Sequence, residues 1–160
     1  MKPRWHNEFP FPVSATGRKV DGFPPWRKRE LYEYTAHRSH PATFQFASKG
    51  YVRPDRHFFT DAASVPEAAQ LIVPKDLHWP SFVLHDSGYL KDHNGHQGHG
   101  LWFSSTLDGE YVWHPVTREE VDRLLRWSLD AAGYPHRARL VWLAVRAGGW
   151  LTWGADKRQK

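Results

Sequence analysis

Bulky and polar residues alternate along "ELYEYTA" (30–36) and again along "ATFQFAS" (42–48), a period of two that predicts strands. "YVRPDRHFFTDAAS" (51–64) continues the pattern with an interruption, because Pro54 has no amide hydrogen and suits an edge or a bend. An antiparallel sheet is therefore expected over 30–64. Ahead of it lie Pro3, Pro10, Pro12, Pro24 and Pro25, five of the chain's 12 prolines, which leave few amides for a regular ladder. Residues 1–29 read as an extended basic arm laid over the domain and anchored by Trp5, Phe9, Phe11 and Trp26.

The period changes after residue 64. "SVPEAAQLIV" (64–73) opens like a short helix with Ser64 as its N-cap. "PSFVLHDSGYLKD" (80–92) puts Pro80 in a first helical turn and follows it with Phe82, Val83 and Leu90. In the next stretch, 93–115, glycines, Asp108-Gly109 and two aromatic runs predict a loop leading into a hairpin. "TREEVDRLLRWSLDAAG" (117–133) carries the clearest helix signal. Thr117 and Glu120 form a capping box, Val121, Leu124, Leu125 and Leu129 recur at helical spacing, and Gly133 closes the end. A last, mostly apolar helix spans 135–153 and breaks or ends at Gly148-Gly149.

The class is α+β in a single domain over 1–160. The arm (1–29) and a small antiparallel sheet (30–64) precede a C-terminal helical half (65–153) that holds an antiparallel helix pair and an inserted loop and hairpin, 92–116.

At 160 residues the chain can bury one substantial core, and 40% hydrophobic with 24% charged residues is globular composition. The absence of cysteine excludes disulfides and thiolate metal sites and allows a reducing compartment. No stretch reaches the roughly 20 apolar residues that span a bilayer. The start has no continuous apolar run, so neither a transmembrane segment nor a signal peptide is expected. The net charge of +5 is concentrated at 18–19, 26–30 and the tail "DKRQK". These clusters read as solvated basic ends or as contacts to phosphate, in nucleic acid or on an anionic envelope.

Candidate chemistry centres on "FVLHDSGYL" (82–90). On a helix, His85 and Tyr89 share one face, whereas Asp86 points about 100° away from His85. Asp122 flanks the apolar stripe of the helix after Thr117, so an antiparallel pairing of 80–92 with 117–132 brings its carboxylate to the His85 ring. A carboxylate on one ring nitrogen fixes the tautomer and raises the basicity of the other, as a general base for water requires. A core histidine satisfied by a tyrosine or an acid is the competing expectation. Asp61, at a strand-to-helix transition, can cap amides or supply a metal oxygen. His93, His96, His99 and His114 could bind a transition metal, but their glycine-rich setting reads better as a mobile, solvated loop.

From about residue 51 to 153 the chain resembles a family of phage and prophage proteins catalogued as domain of unknown function 1353. The resemblance rests on "FFTDAASVP" (58–66), "FVLHDSGYL" (82–90), "EEVDRLL" (119–125) and "VWLAVRAGGW" (141–150), four motifs in the family's order. The stretch 92–116 is longer than the family's link between its two helices and is expected to hang over the site. The resemblance implies a virion, tail or envelope-acting protein of a tailed phage, placed in the virion or the host cytoplasm. Its partners would be other phage structural proteins or a bacterial envelope component.

A second similarity, at the level of the site, is to phospholipases A2, which set H-D-x-x-Y on one helix against an aspartate on another. It implies His85 as the base that activates water, Tyr89 and Asp122 as the groups that orient it, and Asp86 as a calcium ligand, with Asp61 as a substitute ligand. Calcium would neutralise the oxyanion of an attacked ester or amide. The other reading is a non-enzymatic assembly protein, in which these side chains form a buried polar network that fixes the fold.

Overall fold

The computed structural model describes residues 2–6, 13–21, 28–39, 41–46, 50–60, 77–92, 94–151 and 153, with the backbone alone at 20–21, 28–30 and 151. The elements in chain order are β1 (Arg4–His6), β2 (Val13–Asp21), β3 (Lys28–Thr35), β4 (Thr43–Gln45), β5 (Tyr51–Arg53) and β6 (His57–Thr60). They continue with α1 (Trp79–Tyr89), β7 (Gly100–Ser104), β8 (Val112–Pro115), α2 (Arg118–Ala131), α3 (Pro135–Gly148) and a 3₁₀ turn at Gly149–Leu151. The α+β class stands.

The strands form two antiparallel sheets where one was expected. A five-stranded sheet has the order β1-β4-β5-β7-β8, and a three-stranded sheet the order β2-β3-β6. The chain crosses between the sheets several times, and at Pro54 it leaves the first after Arg53 and enters the second at His57. The first 29 residues also do more than lie over the domain, because β1 and β2 each join a sheet. Trp5 is an anchor as expected: its ring packs 5.2 Å from Phe44, and its indole N–H donates to the Ser128 carbonyl at 3.1 Å. Phe9, Phe11, Trp26 and the short helix expected at 64–73 lie outside the described residues.

The stretch 92–116 is likewise built into the fold. Its hairpin β7–β8 is annexed to the first sheet through β5, with Val52 opposite Phe103. His96 stacks on Trp113 with centroids 4.6 Å apart, and His99 stacks on Trp153 at 3.8 Å. Two of the loop's histidines are therefore fastened by aromatic packing, where a solvated loop was expected. His93 lies outside the described residues.

α1 is the axis of the molecule. Pro80 through Tyr89 are all buried, so the helix has no solvent face on which to place a polar side chain. Phe82 packs with Leu125 and Leu129 of α2 and with Val141 and Val145 of α3. Leu84 sits on the five-stranded sheet with Phe44, Val52 and Leu101. Val83 and Leu90 face Tyr34 and Phe58 of the three-stranded sheet. Full burial of one such aliphatic or aromatic side chain contributes about 1.5–3 kcal/mol, so this shared helix couples both sheets to the bundle.

α1 and α2 run antiparallel, because Phe82 meets Leu125 and Leu129 whereas Gly88 meets Val121. Gly88 sets the closeness of the crossing: a Cβ there would lie 2.8 Å from both methyl carbons of Val121. α2 begins as its sequence dictates. Thr117 accepts from the Glu120 amide, and the Glu120 carboxylate returns to the Thr117 amide at 2.8 Å. Gly133 takes a φ of 93° in the turn that sends the chain into α3.

Candidate active site

A buried carboxylate gathers the polar groups of all three helices. Oδ1 of Asp122 accepts the Tyr89 hydroxyl at 2.5 Å and lies 3.1 Å from Nε2 of His85, while Oδ2 accepts Nη1 of Arg146 at 3.3 Å. Tyr89 and His85 are one turn apart on α1, and their rings lie 4.3 Å apart with a 36° tilt. Arg146 comes from the last turn of α3. The side chains of His85 and Asp122 are both 0% exposed, whereas that of Arg146 is 32% exposed.

Electrostatics fix the protons. Burial alone raises the Asp122 pKa, but His85, Tyr89 and Arg146 outweigh it and hold the carboxyl below its ordinary 3.8. Asp122 is therefore an acceptor only, and Nε2 of His85 must carry the proton between them. Burial disfavours the imidazolium as well. The two neighbouring carboxylates prevail, Asp122 first and then Asp86, and the ring's pKa stands above its ordinary 6.5. Burial, reinforced by the Asp122 bond, raises Tyr89 and keeps its hydroxyl a donor.

The other ring nitrogen of His85 is left over. Nδ1 is withdrawn from solvent and makes no hydrogen bond among the described residues; its nearest acidic atom is Oδ1 of Asp86, 3.6 Å away. Asp86 itself faces the three-stranded sheet, where its Oδ2 accepts a short bond from the Thr60 hydroxyl at the end of β6. Next to it, Ser87 Oγ accepts the Asp55 amide at 2.7 Å. Consecutive polar residues of α1 thus serve different neighbours: His85 reaches α2, Asp86 reaches β6, and Ser87 reaches the β5–β6 link.

Of the residues singled out in the sequence, His85, Tyr89 and Asp122 come together, with Asp86 on the far side of the imidazole. Asp61 lies outside the described residues, immediately after Thr60. Sequence reasoning missed Arg146 and Thr60 as partners, although both stand in quoted motifs, Arg146 in "VWLAVRAGGW" and Thr60 in "FFTDAASVP". It also missed how the far end of α3 borders the site. The Trp153 ring packs edge-on against Tyr89 at 4.8 Å, and Gly149 leaves room for the Tyr89 hydroxyl, which a Cβ would approach to 2.6 Å.

Calcium takes about six to eight oxygen ligands. Among the described residues there is no group of three or more His, Cys, Asp or Glu side chains fit to hold a metal ion, and Asp86 brings one carboxylate already engaged by Thr60. The histidines at 96, 99 and 114 form no such group either; His114 lies edge-on to Phe103.

An α+β fold in which a central helix presents His-Asp-x-x-Tyr to an aspartate on the antiparallel helix defines the class. The chain belongs to the DUF1353 family, a protein family of unknown function, whose model matches residues 39–145, about two thirds of its length. No curated protein and no solved structure is significantly similar to it. Among the described residues no helix is long and apolar enough to cross a membrane.

Proposed function

We propose that His85 and Asp122 form a water-activating pair. In this reading the protein is a phage-associated hydrolase of an ester or amide in the bacterial envelope, working in the manner of phospholipase A2. The observation that carries the reading is the asymmetry of one imidazole: Nε2 is pinned by Asp122 at 3.1 Å, whereas Nδ1 makes no hydrogen bond among the described residues and has Asp86 3.6 Å away. A ring held this way, once neutral, presents a lone pair at Nδ1 in a fixed direction. Nδ1 takes a proton from water as the water oxygen attacks the carbonyl carbon and the carbonyl π pair moves onto oxygen. When the adduct collapses, the leaving oxygen or nitrogen takes the proton from Nδ1. Asp122 keeps its negative charge throughout and stabilises the imidazolium, with Tyr89 and Arg146 holding the carboxylate in place.

No step is routed through calcium, for which Asp86 is the sole ligand supplied by the described part of the site. The phage setting, in the virion or in the host cytoplasm, rests on the resemblance of the four motifs.

One observation favours a second reading. His85, Asp86, Tyr89 and Asp122 are each no more than 2% exposed, so a substrate reaches Nδ1 only when the surrounding packing opens. A polar network so enclosed also serves to fix the fold of an assembly protein.

Fatty-acid release from phosphatidylglycerol and phosphatidylethanolamine vesicles, and product release from an envelope extract, separate the two, each with and without added calcium. The hydrolase reading expects turnover by the native protein and a loss of about 10²–10⁴-fold in both His85→Gln and Asp122→Asn, the usual worth of a general base. No turnover by the native protein at any pH, with both variants strongly destabilised, leaves the structural network as the role of these residues.

A further inference from the structure

The outer face of the five-stranded sheet carries a second feature that the hydrolase reading does not use. Val52, Leu101 and Phe103 point into the core, so their neighbours Arg53 and Trp102 point outward, and these two are opposite each other in the β5–β7 register. They help to line a cleft of about 930 Å³ between the β5–β6 link, the segment after β3 and the β7–β8 turn. His85 is not among its residues.

Arg53 is fixed within this cleft. Its Nε donates to the Thr43 hydroxyl at 2.7 Å, its Nη2 donates to the Leu107 carbonyl at 3.1 Å, and its guanidinium lies 3.6 Å over the Tyr111 ring. Two of the five N–H donors of a guanidinium are thereby used and the rest have no protein acceptor among the described residues. Among the described residues no carboxylate lies within ion-pair distance of Arg53; burial lowers its pKa, while Tyr111 and Asp108 act in the opposite direction. Arg38 and Arg56 line the same cleft, exposed and without an ion pair among the described residues.

The remaining lining is of another kind. Asp108 and Glu110 stand on the β7–β8 turn and make no ion pair among the described residues. Trp102 and Tyr111 add two aromatic rings to the lining. Pre-oriented guanidinium donors match phosphate oxygens. Carboxylates that accept hydrogen bonds, beside aromatic rings, match a hydroxyl-bearing ring with apolar C–H faces. A plain anion would leave the acidic lip unsatisfied and repelled, and an uncharged sugar would leave the three arginines unsatisfied.

We propose that this cleft binds a sugar phosphate, with the phosphate on Arg53, Arg38 and Arg56, the sugar hydroxyls on Asp108 and Glu110, and the sugar's C–H face beside the Trp102 and Tyr111 rings.

The test is calorimetric titration of the full chain, together with its tryptophan fluorescence, at fixed ionic strength. The probes are glucose phosphorylated on its hydroxymethyl group, inorganic phosphate and glucose. The expected result is saturable binding of the glucose phosphate with a change in tryptophan emission, binding of inorganic phosphate at least about tenfold weaker, and weaker binding still of glucose. Arg53→Gln and Arg56→Gln should each weaken the glucose phosphate by about tenfold, the loss of one charge-assisted contact. Because Arg53 ties β4 to the β7–β8 turn, its variant can also disturb the fold; Arg56, on the exposed rim, then decides. Absence of saturation, equal affinity for inorganic phosphate, or native affinity in Arg56→Gln overturns the proposal. So does displacement of the glucose phosphate by a short oligonucleotide at lower concentration, which would make the cleft a nucleic-acid site.

Discussion

Nε2 of His85 and Oδ1 of Asp122 meet at 3.1 Å across the antiparallel crossing of α1 and α2, with both side chains closed to solvent. Whatever its chemistry, this contact joins the central helix to the bundle, and removing the carboxylate leaves an imidazole, a phenol and a guanidinium without their shared acceptor. Asp122→Ala should therefore cost about 3–5 kcal/mol, the penalty for stranding a buried charge partner. Asp122→Asn keeps one acceptor oxygen and should cost about 1–3 kcal/mol. Arg146→Gln removes a partner that is 32% exposed and should cost no more than about 1 kcal/mol after solvent screening. Urea denaturation of the three variants checks the order, and an Asp122→Ala loss no larger than that of Arg146→Gln would show that the network does not hold the helices together.

The same pair gives the fold a two-sided pH dependence. His85 holds its proton more tightly in the folded state than its ordinary pKa of 6.5 allows, so its stabilising contribution is full below that value and fades as pH rises through the higher folded one. Asp122 behaves oppositely. Its contribution is full above 3.8 and is lost as pH falls through its lower folded pKa. The contribution of the pair is thus greatest between those two ordinary values and declines on either side of them. A general base must be neutral, so hydrolysis should appear on that same alkaline limb as the imidazolium loses its proton. Melting temperature against pH, for native protein and His85→Gln, tests the first claim. An identical alkaline slope in the two would remove His85 as its cause.

Much of this site is legible in the sequence because it sits on helices, where spacing fixes facing. His85 and Tyr89 share a face by arithmetic alone, and the capping box at Thr117 sets the phase of α2 that turns Asp122 inward along with Val121 and Leu125. What resisted reading depends on contacts far apart in the chain. Nothing in the local pattern shows that the strands divide between two sheets, or that the glycine-rich stretch before β7 is pinned by His96 on Trp113 and His99 on Trp153. Spacing left open whether His85 and Asp86 are enclosed, and two sheets and a bundle closing around α1 decide it: Pro80 through Tyr89 are all buried.

The start of α2 offers a smaller test. Thr117 accepts the Glu120 amide, and the Glu120 carboxylate in turn receives the Thr117 amide and hydroxyl, both at 2.8 Å. These bonds hold the Glu120 carboxyl below its ordinary range. Thr117→Ala should destabilise the protein by about 1 kcal/mol, a typical N-cap loss. Because Asp122 lies little more than one turn further on, amide exchange should quicken first over 118–122. Uniform exchange along α2 in the variant would mean that the cap does not set where the helix begins.

Gly88 provides the sharpest geometric test, because it measures how closely α1 must approach α2. A methyl group at this position would press on both branches of Val121, 2.8 Å away, and the helices must part to admit it. Gly88→Ala should therefore cost about 1–3 kcal/mol, as overpacking in a filled core does, despite the better helix propensity of alanine. Separation at Gly88 also pulls His85 from Asp122, one turn away, so the raised pKa of the imidazole should fall back toward its ordinary value. Val121→Ala clears the space that the new methyl needs. The double variant should regain most of the lost stability and the imidazole pKa with it, read by denaturation and by NMR titration of the His85 ring. If Val121→Ala adds to the damage of Gly88→Ala instead of relieving it, steric approach at this crossing is not what holds the two helices in register.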